Sequence, residues 1–181
     1  MGQRIFGENR AKELIEKVNL LPPDIEWHLI GHLQTNKIKS ILPIVSCIQS
    51  LDSLKLWDKL EEGAKEAGKN INCLLQIKIA KEETKYGWSF EELDKTLKKG
   101  IHKSYSHVTI TGVMGMASLT EDQEQVRKEM KQLKHYFDYL KQNHFADDPQ
   151  FKVVSMGMSG DYKIALEEGS TMVRIGSLLF K

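Results

Sequence analysis

The chain has 181 residues, with 26 Lys or Arg against 25 Asp or Glu, a formal net charge of +1. That length suits one domain with a sizeable core spanning residues 1–181, and the near-cancelled charge gives no field to draw nucleic acid or an anionic membrane. No stretch is long and apolar enough to span a bilayer, Phe6 stands where a myristoylation signal needs Ser or Thr, and Cys47 and Cys73 lie inside apolar runs as buried thiols of a reducing compartment, so a cytoplasmic protein is expected.

In chain order, short apolar runs alternate with helix-forming stretches. Arg4-Ile5-Phe6 predicts a strand closed by Gly7-Glu8-Asn9, followed by a helix over residues 11–17. Glu26-Trp27-His28-Leu29-Ile30 predicts a second strand, ending at Gly31-His32, and Cys47-Ile48-Gln49-Ser50 a third. Leu54, Leu56, Leu60, Ala64 and Ala67 stripe one face of a helix that Gly68 ends. After a fourth strand at Cys73-Leu74-Leu75-Gln76-Ile77, Phe90, Leu93 and Leu97 mark a helix ending near Gly100. Val108-Thr109-Ile110-Thr111 is a fifth strand, and Val126, Met130, Leu133, Phe137 and Leu140 mark the longest helix. Lys152-Val153-Val154 and Met172-Val173-Arg174-Ile175 complete the strands.

Such alternation with short connections means a parallel sheet joined by right-handed crossovers, either open and doubly wound or closed into a barrel. Polar residues stand at nearly every strand end: Gly7-Glu8-Asn9, Gly31-His32, Gln76, Gly112, Ser155, Gly176. That distribution favours a (β/α)8 TIM-type barrel, whose sites draw on all its βα loops, over an open sheet with one crevice. The strand count is one short of eight. The expectation is an incomplete barrel, with its first βα unit and last helix missing and two open edges that invite self-association.

The last thirty residues carry the densest signal. Val153-Val154-Ser155-Met156-Gly157-Met158-Ser159-Gly160-Asp161 and Thr171-Met172-Val173-Arg174-Ile175-Gly176-Ser177 are apolar runs that stop at glycine/serine turns. Backbone N–H groups there form a cup for a phosphate, although the same residues also serve as helix caps and turns. Two cups in succession beside Arg174 favour an anionic ligand. His28 and His32 have the i, i+4 spacing of helical metal ligands, but this run is a strand entering a glycine, and the helical zinc pattern's glutamate is missing. No motif calls for a metal.

Several segments, in this order along the chain, carry a family resemblance: Phe6-Gly7-Glu8-Asn9, the run from Trp27 through Gly31-His32-Leu33-Gln34-Thr35-Asn36-Lys37, Ser50-Leu51-Asp52-Ser53, Glu83-Thr84-Lys85-Tyr86-Gly87, Gly112-Val113-Met114 and the two terminal cups. In them the chain resembles the pyridoxal phosphate homeostasis proteins, one-domain relatives of the alanine racemase barrel. The resemblance implies a barrel carrying pyridoxal 5′-phosphate on a lysine Schiff base. That lysine lies in a first-strand run of the type valine-serine-lysine-threonine-lysine, which this sequence lacks.

By the same resemblance Ser159, Gly176 and Ser177 hold the phosphate. Arg174 faces the ring nitrogen and, since a guanidinium only donates, keeps it unprotonated; the alternative is a rim arginine paired with a carboxylate. Asn9 stands beside the ring, caps the helix after it, or does both. His32 lines the mouth with Gln34 and Asn36. Lys85 and Lys37 are the lysines nearest the family's pattern, and neither has the desolvated setting that a replacement Schiff-base lysine needs. The implied function is a non-catalytic carrier that buffers the vitamer and passes it to pyridoxal phosphate-dependent apo-enzymes, monomeric in the intact family. The competing readings are a racemase-like enzyme, which in the resembled racemases takes a second base, a tyrosine, from an additional β domain, and a truncated fragment that binds nothing.

Overall fold

The computed structural model describes residues 2–81 and 86–180. Strands β1 (Ile5–Glu8), β2 (Glu26–Leu29), β3 (Val45–Leu51), β4 (Ile71–Gln76), β5 (Val108–Met114), β6 (Val153–Met158) and β7 (Met172–Arg174) pair in sequence order, every pair parallel. That order results when each crossover returns the chain beside the strand it left. Register slips at Trp27/His28, Ile48/Leu51, Cys73/Leu74 and Ser155/Met158 stagger the strands, and a staggered parallel sheet curls. Ser155 on β6 hydrogen-bonds Gln49 on β3 at 2.7 Å with two strands between them, a contact only a curled sheet permits. The architecture is a nearly closed TIM-type barrel.

The outer layer comprises α1 (Ala11–Val18), α2 (Ile38–Ile41), α3 (Leu54–Glu66), α4 (Phe90–Lys98), α5 (Gln123–Asn143) and α6 (Tyr162–Glu167). Side-chain caps start three of them: Ser53 Oγ accepts from the Leu56 N–H, Ser89 Oγ from Glu92, and Asp122 from Glu124 and Gln125. Alternation along the strands divides the apolar residues into two sets. Leu29, Ile48, Leu75, Val113 and Val154 face outward against Leu56, Leu60, Leu93, Leu133 and Leu140 in the main core. Cys47, Leu74 and Met114 form a separate small cluster inside the barrel, with Met116 and Val153 against it. Among the described residues no helix is long and apolar enough to cross a membrane.

Two local expectations are corrected. Asn9 does not cap α1: Arg10 holds the N-cap position, and no side chain bonds the first turn. The sixth strand does not stop at Ser155 but runs on to Met158. Gly157 is therefore a strand residue, at φ 95°, and a Cβ on it would lie 2.5 Å from Ala165 Cβ. Its bare backbone lets α6 close onto β6, and the turn that follows is Ser159-Gly160, where the sequence pattern places the first cup.

Candidate functional site

At the carboxyl rim the two predicted cups meet. Met158 pairs with Arg174 across β6 and β7, which brings the following turns together, and the Gly176 N–H donates to Ser159 Oγ at 3.2 Å. Asp161 Oδ1 accepts from the Met158 N–H, tightening the first turn. A Cβ built on Gly160 or Gly176 meets nothing within 4 Å, so both turns present bare backbone to open space. Ser177 is exposed in the second turn. Small residues, a hydroxyl and peptide N–H groups are what a phosphate ester binds.

Arg174 projects from β7 into the barrel. It donates to Ser155 Oγ at 2.7 Å and to the Gly115 carbonyl at 3.0 Å. Both acceptors are neutral, and among the described residues no carboxylate pairs with this guanidinium, so the carboxylate-paired alternative fails. Burial pushes its pKa down to about 10, with Asp161 acting against that shift. A desolvated cation with no carboxylate in direct contact, and only Asp161 acting on it from farther off, is costly, and the arrangement suits an acceptor-bearing, anionic ligand.

Behind Arg174 a polar chain crosses the lumen. Ser155 donates to Gln49 Oε1 at 2.7 Å; Gln49 Nε2 lies 2.9 Å from His28 Nδ1 and 3.2 Å from Met172 Sδ. Gln49 and Ser155 are only 2% and 0% exposed. Burial holds His28 below its ordinary pKa, against the pull of Glu26. No motif singles out Gln49. Its signal is subtler, an amide at the inward parity of Cys47 within an apolar strand.

His32 stands apart from the cradle, on the rim above β2 to β4. Its Nδ1 is 2.8 Å from Asp52 Oδ2, and its ring stacks on Tyr86 with centroids 3.8 Å apart. With Gln34, Asn36, Asp52, Ser53 and Lys55 it lines an open cleft. His28 and His32 thus serve different partners, and among the described residues no three His, Cys, Asp or Glu side chains gather as a metal site. Asn9 is exposed at the end of β1; its carbonyl would lie 2.1 Å from a Cβ on Gly31, so that glycine permits the β1 and β2 loops to touch. Lys37 is exposed, and Lys85 lies outside the described residues. No described lysine is buried.

The family model described as the alanine racemase N-terminal domain matches residues 1–181 of this all-parallel barrel. The pyridoxal phosphate homeostasis protein of Helicobacter pylori is 38% identical over 181 residues, covering 99% of this chain and 78% of the relative. PipY of Synechococcus elongatus, solved with pyridoxal phosphate bound, superposes with a TM-score of 0.85 at 33% identity over 99% of this chain and 82% of that one. An alanine racemase of Clostridium difficile shares only the fold, with a TM-score of 0.76 at 18% identity over 98% of this chain and 47% of that one. The chain belongs to the pyridoxal phosphate homeostasis protein family.

Proposed function

We propose that this chain binds pyridoxal 5′-phosphate and holds it for transfer to apo-enzymes that need it, without catalytic turnover. The observation that carries this reading is the bond from the Gly176 N–H to Ser159 Oγ, which joins two bare glycine turns into one cradle beside the half-buried, desolvated Arg174 cation. Ser159, Ser177 and the backbone at Gly176 bind the phosphate, displacing the internal bond. Arg174 donates to the ring nitrogen and keeps a proton off it. Asn9 and His32 border the mouth. When bound, the vitamer supplies an aldehyde and an electron-withdrawing ring, and an arginine at the nitrogen weakens that withdrawal. That electronic setting suits storage better than turnover.

Retention at the described residues is read as noncovalent. The half-buried Lys69 donates to the Leu42 and Val45 carbonyls at the foot of the barrel, far along the strands from the cradle, and every other described lysine outside α5 is exposed. The test is an absorbance titration with pyridoxal phosphate, followed by borohydride reduction and peptide mapping. Saturable binding without a stoichiometric lysine adduct is expected. A single reduced lysine would overturn the noncovalent reading, and absence of binding would overturn the function.

A further inference from the structure

The lumenal chain His28–Gln49–Ser155–Arg174 has a direction that follows from one residue. A guanidinium can only donate, so Ser155 Oγ accepts from Arg174 Nη1 and must spend its own proton on Gln49 Oε1. That fixes which end of the amide is carbonyl. The two N–H groups of Gln49 then meet His28 Nδ1 and Met172 Sδ, and both of these accept. A flipped amide would set its carbonyl against Met172 Sδ, a thioether that has no proton to donate. His28 Nδ1 must carry a lone pair, leaving the ring proton on Nε2. The links run through β2, β3, β6 and β7, so strands distant in sequence all bear on one side chain.

We infer that Ser155 and Gln49 are positioning residues that hold the Arg174 guanidinium in the orientation that meets the vitamer ring, with His28 closing the chain as the neutral Nε2–H tautomer. This rests on the binding reading above, in which Arg174 faces the ring nitrogen. The physical need is clear. Arginine has large rotamer freedom, and a ligand that must freeze it loses affinity, whereas a guanidinium already clamped on two sides does not. Burial lowers the His28 pKa, and the groups facing it add little charge: Cys47, its register partner on β3, is a thiol pushed up to about 12 by burial, Gln49 is uncharged, and Glu26 on the same strand is the one opposing charge. A lumen filled with polar side chains only to occupy space would set no such direction.

The experiment has two arms on the full chain. In the first, nitrogen NMR of the ligand-free protein reads the His28 ring; an unprotonated Nδ1 and protonated Nε2 are expected, with this preference lost in Gln49→Met. In the second, pyridoxal phosphate is titrated into wild type, Ser155→Ala and Gln49→Met. A rise in Kd of about tenfold is expected in each variant, as for loss of a hydrogen bond to a charged group, together with a shift in the absorbance of the bound vitamer. Should Gln49→Met fail to fold, Ser155→Ala, which removes a single oxygen, decides the second arm. Folded variants that bind within twofold of wild type, with an unchanged spectrum, overturn the inference and leave the binding reading standing. A wild type with Nδ1 protonated overturns the direction of the chain. A wild type that binds no vitamer overturns the binding reading and the inference with it.

Discussion

The foot and the mouth of this barrel handle charge in opposite ways. At the foot, Glu61 on α3 accepts the N–H groups of Ser106, His107 and Val108 where β5 begins, and His107 Nδ1 lies 2.9 Å from the same carboxylate. That carboxylate ties α3 to the start of β5. At the mouth, Arg174 lies half-buried against a hydroxyl and a carbonyl, and two glycine turns leave bare backbone facing open space. One end is saturated and the other is held short of saturation. The difference separates stability from ligand capture, the usual division between the two faces of such barrels.

The largest break in that contrast comes from Glu61→Ala, which strips three backbone donors of their acceptor. A loss of about 3 kcal/mol in urea unfolding is expected, with pyridoxal phosphate affinity of the folded protein unchanged within twofold. Desolvation raises the Glu61 pKa, but the bonds from Ser106, His107 and Val108 outweigh it and leave the carboxyl below its ordinary 4.5. A depressed pKa contributes stability above the unfolded value and loses it as pH falls through the folded one. The gap between wild type and variant should therefore narrow as pH drops below 4.5. A gap independent of acid would show that Glu61 acts through packing alone.

How much of this contrast is legible before the fold is known differs between the two ends. The strands and the three strongest helices follow from periodicity, because Leu56, Leu60 and Ala64 or Val126, Met130 and Leu133 repeat at helical spacing and become the buried faces. The cups follow from Gly and Ser after apolar runs. The length of β6 does not follow, because Gly157 resembles turn chemistry until α6 is packed on it. Nor does the lumenal chain, since Gln49 and Ser155 stand 106 residues apart and meet only when the sheet curls. Glu61 reads as one more charge on a helix face until the start of β5 settles over it. Local chemistry is visible in a sequence; a partner supplied by curvature is not.

At the mouth, Arg174→Met removes the cation. The binding reading requires a rise in Kd of at least tenfold for pyridoxal phosphate, read by the same absorbance titration. Stability should hold or rise by about 1 kcal/mol, since an apolar chain of similar length replaces a desolvated charge with no carboxylate in direct contact. That opposition of signs sharpens the comparison, because a residue kept for the fold would lose both properties together. A destabilisation above about 2 kcal/mol, on the scale of a broken buried network, would place Arg174 with the structural residues of the foot.

The smallest effect belongs to Ser159→Ala. In the ligand-free protein its hydroxyl takes one N–H from Gly176 at a solvent-facing turn. Water replaces that partner readily, so unfolding free energy should change by less than about 0.5 kcal/mol. With ligand, the same hydroxyl donates to a charged oxygen, where a bond contributes more than between neutral groups. A rise in Kd of about fivefold for pyridoxal phosphate is expected, with a smaller change for pyridoxal, which has no phosphate to grip. Equal losses for the two vitamers would mean that Ser159 shapes the mouth without touching the phosphate, and the cradle would then rest on the Gly176 backbone and Ser177.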